Sequence, residues 1–116
     1  METIIERDDL KRKFLLDAIE HGKAIDIGDY KAANKIHKKL TALYNKAKNS
    51  NQINVFSEML NEQNENVRLW AATFTLKYSP VLAEKTLFEL SASPTIRGVG
   101  AKTTLALWKE NRLNLL

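Results

Sequence analysis

Asn64-Glu65-Asn66-Val67-Arg68-Leu69-Trp70-Ala71-Ala72-Thr73-Phe74-Thr75-Leu76 opens polar, carries one arginine and then turns apolar. At helical spacing Val67, Ala71, Phe74 and Tyr78 share one face. Leu69, Ala72 and Leu76 share another, and Trp70 widens the first. A helix apolar nearly all round is covered by its neighbours. The stretch therefore predicts the central helix of a small all-helical domain, running to about Tyr78.

Working outward from it, the chain reads as about six helices. Thr3-Ile4-Ile5-Glu6 has capping-box spacing. A first helix then carries Leu10, Phe14, Ala18, Gly22 and Ile25, with Leu15 and Ile19 beside them. Gly28-Asp29 pairs a helix stop with a helix start, because glycine suits a left-handed C′ residue and aspartate suits an N-cap. The second helix, roughly 30 to 48, faces Ala33, Ile36, Leu40, Leu43 and Ala47 inward. Asn49-Ser50-Asn51 closes it as a cap cluster. A short helix with Ile53, Phe56, Met59 and Leu60 precedes the central one. Ser79-Pro80 starts a fifth helix using Leu82, Ala83, Leu87 and Leu90, and Ser93-Pro94 reads as the same device for the sixth. On that last helix Ala101, Thr104, Leu105 and Trp108 share a face, and it ends near Asn111. No segment alternates with period two, so strands are not expected.

Two of these helices look like copies of each other. Val67-Arg68, Ala71-Ala72 and Thr75-Leu76 align at a constant offset of 29 with Ile96-Arg97, Gly100-Ala101 and Thr104-Leu105, and Asn64 aligns with Ser93. In this reading the aliphatic and small residues point into the core, and the arginine fork ties a loop carbonyl or an acid. One such unit cannot bury its own apolar face and must stack on another.

Asn64 through Leu76 resembles a HEAT-type repeat of the short kind found in phycobilisome lyases. Asn64 stands where aspartate is usual, and the second copy departs further, with Gly98 and Gly100 inside the helix. A longer pattern runs through Gly28-Asp29, Ala33-Asn34-Lys35, Val67-Arg68-Leu69-Trp70-Ala71-Ala72, Thr104-Leu105 and Trp108. From about Ala18 to Arg112 it is similar to a small bacterial domain-of-unknown-function family, numbered twenty-nineteen. The resemblance implies an all-α, HEAT/armadillo-like superhelix of three stacked antiparallel hairpins and no known activity; the length of 116 residues predicts a single domain over residues 1–116. It also implies that immunity proteins against secreted bacterial toxins are one kind of protein to compare it with.

Charge points elsewhere in the chain. The net charge is +4, and between Tyr30 and Ser57 there is no acid but six lysines: Lys31, Lys35, Lys38, Lys39, Lys46 and Lys48. Lys31, Lys35 and Lys38 share a face of the second helix, with Lys39 and Lys46 beside it. One reading is a solvated helix face; the other is a docking surface for an anionic partner. An acidic protein surface is the first expectation, and nucleic acid the second, because the lysines lack interleaved arginines and aromatics beyond Tyr30 and Tyr44.

Chemistry is hard to place. Cysteine is absent, which removes disulfides and thiolate sites and fits a reducing compartment. Gly98 to Thr104 misses the P-loop pattern, with Ala101 before Lys102 and Ile96 at the first glycine position. His21 and His37 stand apart without a ligand set, and Asp8, Asp9, Asp17 and Glu20 share their helix with Arg7, Lys11, Arg12 and Lys13 as a solvated surface. Trp70 and Trp108 read as core. The expectation is a non-enzyme with no metal or cofactor. The N-terminus lacks the form of a signal peptide and no stretch approaches a membrane span, so the expected location is the cytoplasm.

Overall fold

The structure, a computed structural model, describes residues 5–114. It is all-α. Five α-helices run α1 (Arg7–Asp26), α2 (Tyr30–Asn49), α3 (Glu65–Thr75), α4 (Pro80–Leu90) and α5 (Ile96–Lys109), with a 3-10 helix at Ile53–Met59 between α2 and α3. No strand occurs among the described residues. The chain divides into two compact units, Met1–Val55 and Phe56–Leu116.

The first unit is a hairpin of α1 and α2. Leu10, Phe14, Ala18, Gly22 and Ala24 are buried on α1, and Ala33, Leu40, Leu43, Tyr44 and Ala47 on α2. The expected inward residue Ile36 is only half-buried. The turn between the helices is built as the Gly28-Asp29 pair predicts. Gly28 has φ +75°. Its N–H donates to the Ile25 carbonyl at 3.1 Å and that of Asp29 to the Ala24 carbonyl at 2.9 Å, which is the Schellman pattern. Asp29 Oδ1 then accepts from the Ala32 N–H at 3.1 Å and caps α2. α2 ends in the same way, with Asn51 at φ 57° and the Gln52 N–H on the Ala47 carbonyl at 2.7 Å. The expected Thr3 cap lies outside the described residues. α1 itself starts after Glu6, whose side chain makes no cap hydrogen bond.

The second unit is organised around α3. Asn66, Val67 and every residue from Trp70 to Thr75 are buried, as is Leu76 just beyond. Phe74 stacks at a tilt on Phe56 and Trp70, with ring centroids 5.1 and 5.4 Å away. Such aromatic pairs add about 0.5–1.5 kcal/mol beyond area burial. The helix stops sooner than periodicity predicts. The Thr75 carbonyl accepts both the Tyr78 and Ser79 N–H groups, at 3.0 and 2.7 Å, and Tyr78 lies on the surface. α4 begins at Pro80 after Ser79, as predicted, though Leu82 is turned outward. The short helix before α3 is 3-10 rather than α. α4 packs on α3, and α5 packs on both.

Candidate functional site

The two copies of the arginine unit share part of their construction. Asn64 Oδ1 accepts from the N–H groups of Asn66 and Val67 at 2.9 and 3.0 Å. At the matching place Ser93 Oγ accepts from the Thr95 N–H at 3.2 Å. Thr75 and Thr104 each donate to the carbonyl four residues back, Ala71 at 2.7 Å and Gly100 at 2.8 Å, which satisfies their hydroxyls within the helix. Arg68 Nε donates to the Leu60 carbonyl at 2.9 Å and its fork reaches Glu89 at 3.2 Å, one loop carbonyl and one acid.

Other features differ from the repeat reading. The N-cap of α5 is Thr95, whose hydroxyl accepts from the Arg97 N–H, so Ser93-Pro94 lies before the helix and does not start it. Ile96 is therefore the first helical residue. It is 52 % exposed instead of pointing into the core like Val67, whereas Arg97 and Ala101 are buried. Gly98 is required: a Cβ there would lie 2.1 Å from the Ser93 carbonyl oxygen. Gly100 sits against Leu69, whose Cδ2 would be 3.1 Å from an added Cβ. Glu65 joins the two helix starts, accepting from Ser93 Oγ and Thr95 Oγ1 at 3.1 Å each. Asn64, Val67, Arg68, Ala71, Ala72, Arg97 and Ala101 thus shape the second unit from inside or at its helix ends.

The lysines present a different picture. Lys31, Lys35, Lys38, Lys39 and Lys46 are all exposed. At about 100° per residue, Lys31, Lys35, Lys38 and Lys46 fall within roughly 80° of arc, and they span about 22 Å of axis. Exposed Asn34, Ala42, Asn45 and Asn49 complete this outer face without adding an acid. Lys39 is rotated toward α1. There it faces Asp17, whose carboxyl is pushed above the ordinary carboxylate range by burial and pulled back by the charges of Lys39 and Lys13. Lys39 is thereby partly balanced within the hairpin.

Helix electrostatics separates the remaining lysines. Lys46 and Lys48 lie in the last turn, where cations favour the helix dipole. Lys31 lies in the first turn of α2, where its charge opposes the dipole and the capping Asp29 carboxylate offsets it. Tyr30 is exposed beside Lys31, while Tyr44 is buried and its phenol is held above its usual pKa by that burial. Only one of the two tyrosines flanking the stretch is thus available as a surface ring.

Elsewhere in the second unit, an open cleft of about 240 Å³ is lined by Ser57, Leu60, Asn61, Leu82, Lys85, Thr86 and Glu89. Trp108 is half-buried on α5, and its indole N–H donates to Glu84 at 3.3 Å. Among the described residues no three His, Cys, Asp or Glu side chains gather as metal ligands. Nor is any helix among them long and apolar enough to cross a membrane.

No family model and no curated protein matches the chain. Among solved structures it is similar to the protein RPA1889 from Rhodopseudomonas palustris CGA009. The TM-score is 0.86 at 21% sequence identity, over 95% of this chain and 93% of that one. That likeness establishes a shared all-α fold.

Proposed function

We propose that this protein is a non-catalytic, cytoplasmic protein-binding module that docks an acidic partner along the outer face of α2. The observation that carries the reading is Lys31, Lys35 and Lys38 exposed together on an acid-free face of α2. Such a stripe raises association rate and orients a partner more than it adds raw affinity. The paired arginine units of the second unit support a HEAT-like stack as the scaffold. The resemblance of residues 18–112 to the domain-of-unknown-function family numbered twenty-nineteen belongs to the same proposal. An immunity protein that covers an acidic toxin surface is one concrete form of this function.

Nucleic acid is the competing anion. Lysine without arginine, and one exposed ring where stacking needs several, argue for protein instead. The test is capture of partners from the native host, followed by binding at low and high salt. The Lys31, Lys35, Lys38 and Lys39 to Ala variant should lose affinity, mostly through slower association, and should lose its salt dependence. Unchanged binding to every captured partner would refute the surface assignment. Labelled DNA and RNA titrated at the same two salts should show no binding; tight, salt-steep binding there would transfer the same face to nucleic acid.

A further inference from the structure

A second surface is apolar, and it lies on α4. Val81 is 80 % exposed and Phe88 73 %. Seven residues apart, they fall on one stripe of the helix, with Lys85 between them and Glu84 at its edge. On α5, which packs beside α4, Ile96 and Val99 are exposed as well. Large apolar side chains that line up on one exposed stripe, unlike ones scattered singly, mark an interaction surface.

The order of residues along α4 says what fits there. From one end it runs Val81, Glu84, Lys85, Phe88. Read backwards it is again apolar, charged, charged, apolar, with the two charges exchanged. If a second α4 lies antiparallel across the first, about a two-fold axis between Glu84 and Lys85, Val81 meets the other copy's Phe88. Each Glu84 then meets the other copy's Lys85. A two-fold contact requires this reciprocity, in which one residue meets a second and the second meets the first. Glu84 holds the Trp108 indole through Oε2, and a carboxylate accepts several hydrogen bonds, so the lysine contact does not displace that one. Val81 and Phe88 alone fall short of the roughly 800 Å² per partner of a standard interface; the lysine stems widen the contact, and the dimer is a weak one.

We infer that α4 is a self-association face and that a second copy of this chain covers it in an antiparallel, two-fold dimer. The test is sedimentation equilibrium across concentrations from micromolar to near-millimolar, with circular dichroism to check that each variant stays folded. The unaltered protein should dimerise reversibly. Phe88→Glu should weaken the dimer by at least roughly 30-fold, the scale of losing a central aromatic contact. Lys85→Glu should also weaken it, by setting Glu84 against a glutamate. Adding Glu84→Lys to Lys85→Glu should restore it, because the pairs are then reversed and complementary.

The chain has no cysteine of its own, so register can be read covalently. The Val81→Cys, Phe88→Cys double variant should oxidise to a dimer, since its two sites within one helix are about 10 Å apart and beyond disulfide reach. Val81→Cys alone should not. A monomer at every concentration would overturn the inference. So would a dimer indifferent to Phe88→Glu, or a charge exchange that fails to restore association.

Discussion

α2 and α3 are both parts of the same all-α fold, yet they do opposite work. α3 is 11 residues long and eight of them are buried. α2 is 20 residues long and buries five. The longer helix leaves most of its circumference in water and carries its cations there; the shorter one gives nearly every side chain to packing. A helix so enclosed has little left with which to meet a partner. Its arginine is already held by a backbone carbonyl and by Glu89. The functional reading therefore rests on the helix of the two that leaves more of its surface to solvent.

This contrast can be broken by measurement, and the largest effect should come from α3. Phe74→Ala removes a fully buried ring that touches Phe56 and Trp70. It should cost about 3–5 kcal/mol in urea unfolding, whereas Lys35→Ala on α2 should change stability by less than about 0.5 kcal/mol. A comparable loss at both sites would erase the distinction.

Gly98→Ala comes next. Its methyl would be driven into the Ser93 carbonyl, a backbone atom that cannot swing aside, and about 1–3 kcal/mol should be lost. The equivalent change at Gly100 meets only the Leu69 side chain and should cost less. Thermal melts of the two variants side by side would show the order.

The helix starts sharpen the comparison further. Asn64→Ala frees two backbone N–H groups of α3 and Asp29→Ala frees one of α2. Each should cost about 1 kcal/mol, with Asn64 the larger. Equal losses would mean that the second Asn64 hydrogen bond adds nothing.

The smallest effect concerns Tyr44 of α2. Burial raises its phenol pKa above the ordinary 10.0. The neutral form is thus favoured in the folded state: the contribution is intact below about pH 10 and is lost as pH climbs through the raised value. Stability measured from pH 8 upward should fall less steeply in Tyr44→Phe than in the unaltered protein, and the two should run parallel below pH 10.

Much of this fold could be read locally. The Gly28-Asp29 turn, the Asn49-Ser50-Asn51 cap and the Asn64 cap each depend on a few neighbouring residues and formed as expected; α4 starts at Pro80 as expected too, though the Ser79 side chain makes no cap hydrogen bond. The lysine face was equally legible, because helical angle alone puts those residues together. Other features depended on what lies across space. Nothing in the run Ser93-Pro94-Thr95 tells which hydroxyl caps α5; Glu65, 28 residues away from Ser93, accepts from both. Leu82 reads as a core residue until the packing of α4 turns it outward, while Ala83, Leu87 and Leu90 stay buried.

The sequence by itself determined an all-helical chain, its main helix boundaries, the buried character of Trp70–Leu76 and an acid-free lysine face, because propensity, capping and periodicity are short-range effects. Only the tertiary structure decided that α3 stops at Thr75, that Ile96 faces water while Arg97 does not, that Gly98 must be glycine and that α4 carries an uncovered apolar stripe. Those outcomes turn on which side of each helix meets a neighbour. That choice belongs to the packing of several helices at once, and no single stretch encodes it.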